Sequence, residues 1–200
     1  MQAAVVPAVN SSWQVKDVPQ PQPGPNQVLV KVHASGICYT DVHQTLGHFP
    51  GPFPRILGHE PVGEIVAVAP DVTTRKIGDR VGTASIQSTC GRCEWCQRGR
   101  RMFCPYLKGT AVEAQGGHAE YMLMNAEATY LVPDKVSYEQ AAPIFCAGYT
   151  VYSGLRWPIL SRTSAWPCSG LAAWGTWQCN MRRPQASRRS QFRIPLIKTR

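Results

Sequence analysis

Residues 36–60 read GICYTDVHQTLGHFPGPFPRILGHE, and the rest of the sequence is organised around them. A thiol, a hydroxyl, a carboxylate and an imidazole fall within six residues of one another. A second imidazole and carboxylate follow a loop rich in proline and glycine. These side chains belong to Cys38, Thr40, Asp41, His43, His59 and Glu60. Thiol and imidazole side chains in such a group are candidate metal ligands.

Cys38 and His59 carry groups that zinc prefers, and a catalytic zinc has three protein ligands and one open position. Cys146, in the segment IFCAGYT, is the best candidate for the third ligand. It is the only other cysteine before residue 160 that lies outside a separate cluster. Taken alone, Cys38 and His59 would more often be a buried thiol and a histidine satisfied by its neighbours.

A second group of cysteines has the spacing C-x2-C-x2-C-x7-C, formed by Cys90, Cys93, Cys96 and Cys104. Four thiolates on one loop can complete a tetrahedral zinc shell with no open position, as in structural zinc sites. An iron–sulfur cluster and a zinc ribbon that binds nucleic acid are the alternatives. Charged residues between the cysteines predict an exposed lobe.

The net charge of +9 is unevenly distributed. Residues 1–155 contain twelve basic and twelve acidic residues, whereas residues 156–200 contain nine basic residues and no acid. The N-terminus has no signal-peptide pattern and no apolar run reaches membrane-spanning length. Eight cysteines without a secretion signal favour metal ligation over disulfides. We therefore expect a cytoplasmic protein without membrane segments.

Short β-rich segments separated by glycine and proline predict a mostly β barrel or sandwich. The segments are Val28–Val32, Val62–Val68, a strand entered through Gly78–Gly82, Tyr121–Met124 and Thr129–Val132. One helix is predicted to begin near Ser137, where Gln140 completes a capping-box pattern, and to continue towards Leu155. Cys146 would lie within that helix.

Six motifs in this order resemble the zinc-dependent alcohol dehydrogenases of the medium-chain dehydrogenase/reductase family, from about Val28 to Trp157. They are GICYTDVH, GHEPVGEIVAV, GDRV, CGRCEWCQRGRRMFC, GGHAEYM and PIFCAGYTVYSGL. The resemblance implies a GroES-like catalytic domain, mostly β, with a structural-zinc lobe. It also implies two zinc ions, with Cys38, His59 and Cys146 holding the catalytic one.

The resemblance assigns roles to further residues. Glu60 would lie close to the catalytic zinc or act as an alternate ligand, and Asp41 would orient His59. Thr40 and His43 would carry the substrate proton towards solvent. Coenzyme contacts would fall on Tyr39, where relatives often carry a basic residue against the phosphates, and on Thr150, beside the nicotinamide. His33, His48 and His118 have no motif role and are interpreted as ordinary surface or satisfied histidines.

The implied activity is interconversion of alcohols with aldehydes or ketones, using NAD or NADP. The partners would be small-molecule alcohols and aldehydes, and the full-length enzyme would be a homo-oligomer. The leading alternative is a non-enzymatic zinc protein whose basic tail binds nucleic acid. A third hypothesis is a natural fragment that sequesters partner subunits.

The resemblance stops after Trp157, where a glycine-rich dinucleotide-binding domain would follow in this family. A shift of the reading frame can be tested by combining the last base of each codon with the first two bases of the next. Three positions are then fixed by the genetic code: Trp157/Pro158 becomes Ala, Trp174/Gly175 becomes Gly and Trp177/Gln178 becomes Ala. With permitted synonymous codons, the new reading contains a strand, G-x-G-G-x-G and a helix.

We therefore expect residues 1–157 to form the catalytic domain. Residues 158–200 are expected to be an out-of-frame, disordered basic tail without a Rossmann domain. The cause would be loss of one base at the Trp157 codon, with retained intron sequence as the alternative. The chain with this tail is expected to be inactive.

Overall fold

The computed structural model describes residues 1–49 and 51–156. The strands of this part are β1 Gln2–Val6, β2 Gln14–Asp17, β3 Gln27–Ser35, β4 Arg55–Ile56, β5 Pro61–Val68, β6 Arg80–Thr83, β7 Ile86–Ser88, β8 Lys108–Gly109, β9 Tyr121–Asn125 and β10 Thr129–Leu131. The helices are α1 Tyr39–Thr45, α2 Glu94–Gln97, α3 Tyr138–Ala141 and α4 Ala147–Arg156. Three 3₁₀ turns occupy Arg101–Phe103, Ala126–Ala128 and Ala142–Phe145.

The main sheet has the strand order β10-β6-β5-β3-β9, and all its neighbours are antiparallel. Val30 of β3 pairs with Ile65 on one side and Met122 on the other, so β3 is central. Val28, Val30 and Ile65 are fully buried in the core beneath the sheet. Burying a side chain of this size contributes about 1.5–3 kcal/mol. The mostly β fold and the five predicted strand regions are confirmed.

A smaller sheet, β2-β1-β4, holds the segment that leads to His59. Val5 of β1 pairs with Ile56 of β4, three residues before His59. On the other side, residues 116–118 run along residues 56–58 through backbone hydrogen bonds. These join Gly116 N–H to Ile56 O, His118 N–H to Leu57 O and Gly117 N–H to Gly58 O. The approach to His59 is therefore fixed from two directions.

The prediction of one continuous helix after Ser137 is wrong, because the structure has two helices separated by a 3₁₀ turn. Ser137 does cap α3, because its hydroxyl accepts from the Gln140 N–H while the Gln140 side chain accepts from the Ser137 N–H. The chain then tightens into a 3₁₀ turn containing Pro143, which has no N–H to continue the helical ladder. Cys146 has φ −120° and ψ −78°. It therefore lies at the break before α4, instead of inside a helix.

The expectations for the C-terminal tail and for a frame change at Trp157 concern residues 157–200, which lie outside the described residues.

Gly82 of β6 links the main sheet to the Cys146 segment. A methyl group on Gly82 would overlap the ring of Phe145, the residue before Cys146, and approach Val62. We predict that Gly82→Ala destabilises the chain by about 1–3 kcal/mol, as overpacking of a filled core does. Urea unfolding followed by circular dichroism measures this change. Phe145→Leu combined with Gly82→Ala should recover part of the loss; an alanine variant as stable as the parent would contradict this packing.

Candidate metal centres

Helix α1 places Cys38 at the first centre. The Cys38 backbone is extended, and its N–H donates to Asp41 Oδ2 at 3.0 Å, so the helix begins directly after Cys38. A carboxylate in the first helical turn also interacts favourably with the helix dipole. Asp41 is fully buried, and its Oδ1 accepts from the Gly58 N–H at 3.2 Å. One carboxylate thus connects α1 to the segment that carries His59.

His59 is 3% exposed, and neither of its ring nitrogens has a hydrogen-bond partner among the described residues. Its Nδ1 lies 3.7 Å from Asp41 Oδ1, too far for a hydrogen bond but close for an electrostatic contact. Its Nε2 lies 3.9 Å from Glu60 Oε1. A buried imidazole nitrogen without a partner is costly, and a metal ion at Nε2 would satisfy it.

Cys146 completes the group from the break before α4. Its Sγ lies 3.8 Å from Cys38 Sγ. The ligand atoms of Cys38, His59, Glu60 and Cys146 all lie within 4.8 Å of one another. Two thiolates at about 2.3 Å from a tetrahedral zinc stand about 3.8 Å apart. The donor types and the sulfur separation therefore fit zinc.

Without a metal, His59 holds a proton. Burial alone would lower the pKa of His59, but the Asp41 carboxylate and the Cys146 sulfur outweigh it and raise the pKa to about 11. Burial alone would raise the pKa of Asp41, and interactions with His118, His59 and the Cys38 N–H lower it overall. The metal-free centre thus contains a buried imidazolium beside a buried carboxylate.

Two further ligand candidates, Cys146 and Glu60, have raised pKa values. Contact with His59 alone would lower the pKa of Cys146, but burial and the nearby Cys38 and Glu60 raise it overall. Burial raises the pKa of Glu60 as well. A metal that binds this group must therefore displace protons.

The second centre lies in a lobe that β7 and β8 close at its base. Ser88 of β7 pairs with Lys108 of β8, so the intervening loop returns to its starting point. This loop brings together the thiols of Cys90, Cys93, Cys96 and Cys104, all within 4.8 Å of one another. Cys90 Sγ lies 3.6 Å from Cys104 Sγ and 4.0 Å from Cys96 Sγ. The four thiols have the separation of a closed tetrahedral site.

Backbone hydrogen bonds prepare one of these thiols for metal binding. N–H groups of Arg92 and Cys93 point at Cys90 Sγ and lower its pKa to about 6, which favours the thiolate. The thiol of Cys93, which shares its hydrogen bonds with the other cysteines, has its pKa raised to about 11.

The predicted proton-relay residues lie beside the first centre on α1. Thr40 Oγ1 is 3.5 Å from Cys38 Sγ. His43 lies one turn further, and its Nδ1 is 2.9 Å from Nδ1 of His48. Among the described residues, no hydrogen bond joins Thr40 directly to His43.

The predicted coenzyme contacts are both at the surface. Tyr39 is 71% exposed and meets the His43 ring edge-on, with ring centroids 4.9 Å apart. Thr150 is exposed on α4, where its N–H donates to the Cys146 carbonyl at 2.9 Å. Thr150 is therefore held one turn after a candidate metal ligand.

Sequence reasoning gave His48 and His118 no role, and the structure gives both a partner. His48 contacts His43, as described above. His118 Nε2 lies 3.4 Å from Asp41 Oδ2, although 77 residues separate them in the chain. The imidazole in the GGHAEYM motif was the only available signal, and sequence spacing did not indicate its partner.

The family profile described as the alcohol dehydrogenase GroES-like domain matches residues 24–134. An alcohol dehydrogenase of Geobacillus stearothermophilus is 42% identical over 158 residues, which are 78% of this chain and 47% of that protein. The chain belongs to the alcohol dehydrogenase GroES-like domain family. The resemblance read from the six motifs is thereby confirmed.

Solved structures of this GroES-like family agree. The alcohol dehydrogenase of Aeropyrum pernix is 32% identical with a TM-score of 0.69, over 76% of this chain and 46% of that one. The CAD of Helicobacter pylori, solved with NADP(H), is 27% identical with a TM-score of 0.72, over 78% of this chain and 48% of that one. This GroES-like chain spans about half the length of the relatives it matches.

In the described part, the GroES-like chain has no helix with the length and apolar character needed to cross a bilayer.

We predict that the chain binds two zinc ions and that Cys38→Ser removes about one, because a three-ligand centre cannot spare a thiolate. Elemental analysis after zinc reconstitution and desalting measures the stoichiometry. Cys90→Ser is the matched variant and should remove the other ion. It should also destabilise folding, since metal binding at a closed site contributes directly to folding. Retention of both ions by Cys38→Ser would contradict the first centre.

Zinc affinity at the first centre should rise with pH across the neutral range, because His59 and Cys146 hold protons that the metal displaces. Each proton that the metal displaces raises the affinity by about tenfold per pH unit while the pH is well below the pKa of that group. Competition with a chelator measures the slope. Asp41→Asn removes the charge that keeps His59 protonated and should make the slope shallower. An affinity independent of pH would contradict the protonation described here.

Proposed function

We propose that this chain is the catalytic domain of an oxidoreductase that interconverts alcohols and aldehydes or ketones with NAD or NADP. The observation that carries the proposal is the group formed by Cys38, His59 and Cys146. Two thiols and one buried imidazole nitrogen without a partner converge there, and three ligands leave one position open for substrate. The alcohol dehydrogenases among its relatives support the same activity.

The two centres are proposed to hold one zinc ion each. Zinc held by Cys38, His59 and Cys146 supplies a Lewis acid that polarises the substrate oxygen and lowers the pKa of an alcohol. Asp41 lies beside Nδ1 of His59 and so leaves Nε2 for the metal, and Glu60 stands within reach as an alternate ligand. The four-cysteine lobe holds its zinc without an open position and stabilises the fold.

Thr40 and His43 are proposed to remove the substrate proton. The Thr40 hydroxyl lies beside Cys38 and can both accept and donate a hydrogen bond, as a relay group requires. His43 is half-buried on the same face of α1 and pairs with the exposed His48, so it has a route to solvent. A chain of hydroxyl groups would bridge the gap between Thr40 and His43. An imidazole can both accept and donate a proton, as this task requires.

Tyr39 and Thr150 are proposed to contact the coenzyme, and both present exposed side chains near the metal centre.

An open apolar cavity of about 490 Å³ lies beside α4, lined among others by Val132, Phe145 and Tyr149. A cavity of this character supports the presence of a covering domain in the active protein. That domain would be a Rossmann domain, and the full enzyme would be a cytoplasmic homo-oligomer.

The described residues give the nucleic-acid alternative no support, since residues 1–156 contain thirteen basic and twelve acidic side chains.

Residues 1–157 are proposed to be the natural catalytic domain, and residues 158–200 an out-of-frame reading of the coenzyme domain. Sequencing the source DNA across the Trp157 codon tests this directly. A missing base relative to an open frame encoding G-x-G-G-x-G supports it. A frame that meets an early stop after the base is restored contradicts it.

With the frame restored, the protein should oxidise simple alcohols with NAD or NADP, measured by the absorbance of the reduced coenzyme. His43→Ala should slow turnover near neutral pH by about 10²- to 10⁴-fold, the range of general acid–base catalysis, and imidazole buffer should recover part of it. His33→Ala is the matched control, because the described contact of the His33 ring is stacking on Tyr138 of α3. An unchanged pH–rate profile in His43→Ala would remove His43 from the relay, and absence of activity in the repaired parent would contradict the proposed function.

A further inference from the structure

His118 lies on a loop that is held against the segment carrying His59. Its backbone N–H donates to the Leu57 carbonyl at 2.9 Å, and the N–H of Gly117 donates to the Gly58 carbonyl at 2.8 Å. The His118 side chain is only 9% exposed. Loop and imidazole are therefore part of the wall behind the first metal centre.

The His118 ring is packed on two sides. Trp13 covers it with ring centroids 5.3 Å apart. On the other side, a methyl group on Gly58 would come within 2.7 Å of His118 Nδ1, so the ring fills the space that Gly58 leaves. Trp13 is itself fixed, because its indole N–H donates to Thr45 Oγ1 at 2.9 Å, and Thr45 Oγ1 donates to the Asp41 carbonyl at 2.8 Å. The position of the ring is thus set by its surroundings.

The imidazole shares one carboxylate with the candidate metal ligand His59. Asp41 Oδ2 receives the Cys38 N–H at 3.0 Å and faces His118 Nε2 at 3.4 Å. Asp41 Oδ1 receives the Gly58 N–H at 3.2 Å and faces His59 Nδ1 at 3.7 Å. An ionised carboxylate only accepts hydrogen bonds, so Nε2 of His118 carries the hydrogen in this contact.

We propose that His118 is a positioning residue for the first metal centre: it holds Oδ2 of Asp41 so that Oδ1 stays aimed at His59. The inference rests on the proposed zinc site of Cys38, His59 and Cys146. The carboxylate can rotate about its Cβ–Cγ bond, and the N–H groups of Cys38 and Gly58 restrain it together with His118. Of these three groups, His118 is the one side chain. The groups around a metal-bound imidazole fix its orientation and its basicity.

The N-terminal segment of the chain also reaches this wall, through Trp13. Trp13, which covers the ring, lies outside the residues 24–134 matched by the family profile. The N-terminal segment thus contributes to the wall of the centre.

The test measures zinc release from the reconstituted 200-residue chain to an excess of chelator at fixed pH. The two centres should release zinc in separate kinetic phases. The phase that is missing in the Cys38→Ser variant measures release from the first centre. His118→Phe fills the ring volume without a donor and should speed that phase by about 10- to 100-fold, the usual cost of removing a group behind a metal ligand. His118→Gln places an amide N–H near the position of Nε2 and should have a smaller effect. His33→Phe, at an imidazole stacked on Tyr138, should release zinc like the parent.

The phase from the four-cysteine centre should be unchanged in every His118 variant. Equal acceleration of both phases would overturn the inference, because it would indicate general loss of structure. A His118→Phe chain that releases zinc like the parent would overturn it while leaving the zinc site intact. If His118→Phe does not fold, His118→Asn takes its place, since its shorter amide does not reach Asp41. Release no faster in His118→Asn than in His118→Gln would then overturn it. A parent without the Cys38-dependent phase would refute the proposed zinc site, and this inference with it.

Discussion

The buried carboxylate of Asp41 is the constraint on which the first centre depends. A charge in the interior is tolerated only when it is paired and hydrogen-bonded. Asp41 meets this condition with groups from α1, from the segment after β4 and from the loop before β9. The first of these segments begins directly after Cys38, the second carries His59 and the third carries His118. Satisfying one carboxylate therefore fixes the relative positions of three parts of the chain that are distant in sequence.

A different structural feature positions Cys146, the third candidate ligand. The segment that carries Cys146 packs on the main sheet, because Gly82 of β6 leaves room for the Phe145 ring. Pro143 ends the helical ladder that begins at Ser137, and the resulting break turns Cys146 towards Cys38, with the two sulfurs 3.8 Å apart. In a continuous helix, the helical periodicity would instead have set the direction of the Cys146 side chain. The break is thus part of the geometry of the centre.

Much of the fold could be predicted from sequence, because the β-rich segments and the glycine and proline turns between them reflect the conformational preferences of their own residues. The four-cysteine lobe was predictable for the same reason, since its four cysteines lie within one loop and its base is a single strand pair. The continuity of the helix at Cys146 was mispredicted because apolar character outweighed Pro143. The contact between His118 and Asp41 could not be predicted, since it depends on the register of a loop against residues 56–58 and leaves no periodic pattern. The roles of Thr40, His43, Tyr39 and Thr150 remain predictions.

The two proposed centres differ in their sulfur ligands, since the closed centre would have four and the open centre two. Zinc-edge X-ray absorption of the reconstituted chain measures the average ligand set. The account predicts about three sulfur ligands at about 2.3 Å and one nitrogen or oxygen ligand at about 2.0–2.1 Å per zinc. An average of four sulfur ligands and no nitrogen or oxygen would contradict it, because only the closed centre would then bind metal.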